Sequence, residues 1–124
     1  DARTRLLEYA AVGHHAAFLV TPECDHCTRV GNRNIVIGAV PGMGYKKVSI
    51  QVPKGSTIYL FSDGVFEIVD KAGRQWSIAD FERLVTSPAP NGAGEAERLF
   101  NAVRAEARAG PLEDDFSLVV AHFD

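Results

Sequence analysis

The chain has 124 residues, 46% of them hydrophobic and 23% charged, with a formal net charge of -3. That length and balance fit one globular domain able to bury a modest core without staples. The mild acidity argues against a nucleic-acid binder, no apolar run approaches the ~20 residues of a bilayer span, and no signal-like pattern opens the chain. A soluble cytoplasmic protein is the expectation.

Leu6 to Val12 alternates as a strand and ends at Gly13-His14-His15. A lone His beside a Gly at a strand end is more often a hydrogen-bonded turn residue than a ligand. Ala16 to Val20 is a second strand, closed by Thr21-Pro22-Glu23. Cys24-Asp25-His26-Cys27 follows, read here as reduced thiols in a hairpin turn. The alternatives are a redox pair, or half a zinc site completed from His14, His15 and His26. Thr28 to Val30 pairs back across this turn, and Asn34 to Val40 is apolar around Gly38. Pro41-Gly42-Met43-Gly44 is a flexible turn; no helix follows to supply aligned N–H donors, so it is not a nucleotide loop.

Tyr45 to Val52 alternates as a half-exposed strand. The tight turn Pro53-Lys54-Gly55-Ser56 then predicts an antiparallel hairpin with the buried strand Thr57 to Phe61. That strand stops at Ser62-Asp63-Gly64. A carboxylate at the tip of a core strand, with Gly behind it, is held rigidly and suits a metal ligand. An ordinary Asp-Gly turn is the commonplace alternative. Past Val65, a short helical turn and a loop reach Gly73. Ser77 with Asp80 three residues on opens a helix to Thr86. Ser87 to Gly94 is a loop, and Glu95 to Ala109 is a helix with an apolar stripe of Ala96, Leu99, Phe100 and Val103. Gly110-Pro111 stops it. The final strand, Phe116 to Phe123, is preceded by Asp114-Asp115. Adjacent strand residues face opposite ways, so one acid of this pair can share a site with Asp63. Acids brought together at strand ends repel unless a cation lies between them.

Taken in order, Gly13-His14, Gly38, Ser62-Asp63-Gly64-Val65 with Glu67, and Asp114-Asp115-Phe116-Ser117 resemble the metal-dependent type 2C protein phosphatases. The bacterial branch named after stage II sporulation protein E is the nearest, with its "aGH", "plG", "TDGv.E" and "DDit" motifs. The resemblance covers nearly the whole chain. It departs at Ser62 (Thr in the family), Phe66 and Phe116-Ser117, and His15-Ala16-Ala17 lacks the prolines usual after "GH". The family's earlier acidic motif is not found in Asp1 to Glu8. Residues 1–124 are therefore expected to be a single domain, the C-terminal part of a type 2C-like phosphatase domain and inactive alone; either it is trimmed from a longer protein or something else covers its sheet edges.

The elements add up to an α+β fold, mostly antiparallel β-sheet with two helices on one side, which is what the resemblance implies for part of a four-layer α-β-β-α sandwich. It implies a protein serine/threonine phosphatase in which two Mn²⁺ or Mg²⁺ ions activate a water. Asp63 and Asp114 carry over as the metal ligands, and through that water as catalytic residues. Ser62, Gly64, Asp115, Gly13 and His14 carry over as residues beside the metals or as structural ones. The branch's usual substrate is a phosphorylated regulatory protein, anti-anti-sigma-like, in partner-switching signalling. The rival reading is a non-catalytic pseudo-phosphatase, a binding or regulatory module of the same fold, because two carboxylates alone seldom hold two divalent ions. An acidic strand end ahead of Asp1 would favour the enzyme.

Overall fold

The computed structural model describes residues 1, 3–23, 27–31, 39–87 and 94–124. Its strands are β1 (Leu6–Tyr9), β2 (Ala17–Val20), β3 (Cys27–Val30), β4 (Val48–Gln51), β5 (Ser56–Phe61) and β6 (Leu118–Phe123). The helices are α1 (Ile78–Thr86) and α2 (Glu95–Glu106), and a 3₁₀ turn spans Asp63–Val65. Every strand pair is antiparallel: β1 with β4, and a four-stranded sheet in the order β3-β2-β5-β6.

The two-residue period of the strands sorts their side chains between two cores. Phe18, Tyr59 and Phe61 point to the helix side and pack with Phe81, Val85, Leu99 and Val103. Leu19 and Ile58, next to them in sequence, point to the other face and meet Val52, Leu7 and Ile50. The four-stranded sheet is thus sandwiched between α1–α2 on one side and β1–β4 on the other. The fold is α+β, mostly antiparallel sheet with two helices on one side, and the described residues form three contiguous layers, α-β-β.

The predicted hairpin between Tyr45–Val52 and Thr57–Phe61 is corrected. β4 pairs with β1, from Tyr9 opposite Val48 to Leu6 opposite Gln51, and β5 pairs with β2 and β6. Val52 N–H extends the first ladder by donating to the Arg5 carbonyl at 2.9 Å. The physical reason is burial: Val52 and Ile58 fill the same core, so their strands face each other across a layer instead of lying side by side. A tight turn fixes how the chain reverses and leaves open which sheet receives it.

Smaller differences follow from local competition. α2 ends at Glu106, not Ala109, because Arg108 N–H donates to the Val69 carbonyl and Lys71 N–H donates to the Glu106 carbonyl. Those bonds pull Ala107 into a bridge with Asp70 and bury it. The turn after β5 begins at Asp63, earlier than Val65. Cys27 is not a turn residue; it opens β3 and is buried, and burial pushes its thiol up to about 12. Cys24, Asp25, His26, Gly38 and most of Asn34–Val40 lie outside the described residues. Among the described residues, no helix is long and apolar enough to cross a membrane.

Candidate metal centre

β5 and β6 run side by side, with Phe61 opposite Leu118, so the residues just past one and just before the other arrive at the same sheet end. Ser62 joins them. Its N–H donates to the Ser117 carbonyl at 3.0 Å, its hydroxyl donates to the Asp115 carbonyl at 2.8 Å, and its Oγ accepts from Ser117 N–H at 3.0 Å. Gly64 then passes so close to the other segment that a Cβ there would lie 2.2 Å from the Asp115 carbonyl oxygen. A side chain is excluded by that approach alone.

The chain turns helically at Asp63: Phe66 N–H and Glu67 N–H both donate to the Asp63 carbonyl, at 3.0 and 2.9 Å. One helical turn separates Asp63 from Glu67, which puts their carboxylates on one face. Asp114 meets them from the β6 side, and one ligand atom of each of Asp63, Glu67 and Asp114 lies within 4.8 Å of the others. All three side chains are exposed, and none makes an ion pair among the described residues. Three mutually repelling carboxylates with no cationic side chain between them form a hard-oxygen donor set of the kind that holds Mg²⁺ or Mn²⁺. The residues fit the metals that the resemblance implies.

Of the sequence-predicted residues, Asp63 and Asp114 are brought together. Ser62 and Gly64 set their approach. Asp115 contributes its backbone: its carbonyl accepts from Ser62, while its N–H donates to Asp114 Oδ1 at 2.7 Å. Gly13 takes φ 64°, a left-handed conformation that favours glycine, and turns the chain from β1 toward β2. His14 is exposed, and its Nδ1–H donates to the His15 carbonyl at 2.9 Å. Its ring lies 4.1 Å from the His15 ring.

Two residues escaped assignment from sequence. Glu67 was visible as the last letter of the "TDGv.E" pattern, and its four-residue spacing from Asp63 is the signal that a helical turn there would use. His15 entered the sequence reading only as a possible zinc ligand beside Cys24 and Cys27, with no signal that tied it to Asp63. Its ring stacks on Phe61 at 4.5 Å and meets the edge of Phe66 at 5.4 Å. Burial lowers its pKa below the ordinary value, against smaller opposing pulls from the Ala16 backbone, the Asp63 carboxylate and the Phe61 backbone.

The model of the family described as stage II sporulation protein E matches residues 1–124. The phosphoserine phosphatase RsbU of Bacillus subtilis is 27% identical over 112 residues, 90% of this chain and 33% of RsbU. Among solved structures, the PP2C phosphatase domain with a regulatory fragment of SpoIIE from Bacillus subtilis aligns with a TM-score of 0.77 and 25% identity. It covers 98% of this chain and 34% of that one. A manganese-presoaked form of the SpoIIE phosphatase domain gives 0.72 and 24%, over 100% of this chain and 53% of that one. The chain spans about a third of the curated relative's length. Its sheet order, its strand-end motifs and a family match from the first residue to the last lead to one conclusion: the chain belongs to the stage II sporulation protein E family.

Proposed function

We propose that this chain is the C-terminal part of a metal-dependent protein serine/threonine phosphatase domain of the type 2C kind. Its work would be to hydrolyse phosphoserine or phosphothreonine on a regulatory protein in cytoplasmic partner-switching signalling. The observation that carries this reading is the convergence of Asp63, Glu67 and Asp114 at one sheet end. The likeness to a phosphoserine phosphatase supports the reaction class.

In this reading Asp63 and Asp114 hold two Mn²⁺ or Mg²⁺ ions together with ligands from the rest of the domain, and Glu67 joins them. When bound, such cations neutralise charge on the phosphoryl oxygens and lower the pKa of the attacking water. The chain's own residues do the placing. The 3₁₀ turn fixes Asp63 against Glu67, and Ser62 fixes both against the Asp114 segment. Preorganised carboxylates lose little freedom on binding a cation.

One observation favours the second reading, a non-catalytic module of the same fold. Three carboxylates fall short of the oxygens that two six-coordinate ions need. The deciding assay is Mn²⁺-dependent release of phosphate from a phosphoserine protein by the full-length protein, with and without chelator. Chelator-sensitive turnover supports the enzyme. Metal binding without turnover supports the module.

A further inference from the structure

We infer that His15 is a positioning residue of the metal centre: its ring clamps both ends of the turn that carries Asp63 and Glu67. The inference rests on the metal reading above and adds a residue that the family motifs do not single out.

The geometry is a chain of rings. Phe81 and Phe18, both fully buried, hold Phe61 at centroid distances of 4.9 and 4.8 Å. His15 lies stacked on Phe61, with interplanar angle 25°, and presents its ring to Phe66 at 80°. Phe61 and Phe66 also meet directly, 6.3 Å apart and edge to face. Phe61 is two residues before Asp63, and Phe66 lies between Asp63 and Glu67. One ring therefore touches the chain on both sides of Asp63 and ties that turn to the main core. Aromatic contacts of this kind contribute beyond the area they bury.

The two ring nitrogens differ: Nδ1 is hydrogen-bonded to the backbone, and Nε2 is not. The Ala16 carbonyl, at 3.2 Å, can only accept, so Nδ1 carries the proton. Nε2 is the second ring nitrogen. It is buried and has no hydrogen-bond partner among the described residues.

The test measures Mn²⁺ affinity by calorimetry in the full-length protein for wild type, His15→Ala, His15→Phe and Asp63→Asn, with melting temperatures alongside. His15→Ala is expected to bind Mn²⁺ about tenfold more weakly, the usual scale for losing a residue that orients a ligand. His15→Phe keeps the ring and is expected to restore wild-type affinity, with an equal or higher melting temperature. Wild-type affinity in His15→Ala overturns the inference. A loss in His15→Phe as large as in His15→Ala also overturns it, by placing the role in the nitrogen. Should His15→Ala not fold, His15→Leu keeps apolar volume without the flat ring and carries the same expectation. If Asp63→Asn binds Mn²⁺ as wild type does, the metal reading fails and takes this inference with it; loss in Asp63→Asn alone sinks only the His15 role.

Discussion

Gly64 is the residue on which the candidate site turns, because its missing side chain lets the Asp63 turn and the Asp115 carbonyl touch. The obstacle to any larger residue is backbone, which cannot swing away. Gly64→Ala is therefore expected to cost about 1–3 kcal/mol or more and to weaken Mn²⁺ binding together with it. Thermal unfolding and calorimetry on the same sample check both halves. Asp63→Asn and Asp114→Asn behave differently, since they keep shape and remove charge. Each should abolish metal-dependent turnover, while stability in chelator equals or exceeds wild type because repulsion is relieved. A marked loss of stability in chelator would show that these carboxylates serve the fold. Cys27 illustrates how far tertiary burial reaches: with its thiol at about 12, alkylation at pH 8 should be far slower than that of a free thiol. The sequence placed Cys27 in a turn, where it would have reacted readily.

At the scale of elements, α1 shows what a sequence makes plain. Ser77 and Asp80 announced its start, and in the structure the Asp80 carboxylate accepts from Ser77 N–H at 2.8 Å and Ser77 Oγ–H at 3.0 Å. What the local pattern did not reveal is the pair of arginines. Arg74 donates to both Asp80 oxygens at 3.1 and 3.2 Å, and Arg83 donates to Oδ1. Asp80 is buried beneath them, and Arg74 above all holds its carboxyl well below the usual carboxylate range. A depressed pKa gives stability that is present above the unfolded value, about 3.9, and is lost as pH falls through the folded value. Asp80→Asn should cost about 1–2 kcal/mol near pH 7, with both arginines largely exposed and screened. The gap in melting temperature between wild type and variant should stay level down to about pH 4 and narrow below it. A gap that is constant to pH 2 would contradict the assignment.

At the scale of the molecule, one sheet separates two cores, and neither is complete without it. Phe81 belongs to the helix-side core and Val52 to the core between the sheets. Phe81→Ala is expected to cost about 3–5 kcal/mol, and Val52→Ala less because fewer methyl groups leave. Since Phe18 and Leu19 are neighbours on β2 yet serve opposite cores, both variants should shift one shared unfolding transition. Two resolved transitions in chemical denaturation would show that the layers fold separately.

Local sequence patterns were enough to set the elements and the places where chemistry could sit. Alternation along Val48–Gln51, the apolar run of β5 and the Ser77–Asp80 start of α1 are local patterns, and so are Asp63 and Asp114 at strand ends. Local geometry depends on nearest neighbours, which a sequence lists. Long-range packing set the rest: β4 pairs with β1, Glu67 converges on Asp63 and Asp114, and the His15 ring braces the Asp63 turn. Those outcomes depend on which apolar faces bury against which, and residues far apart in the chain settle that together.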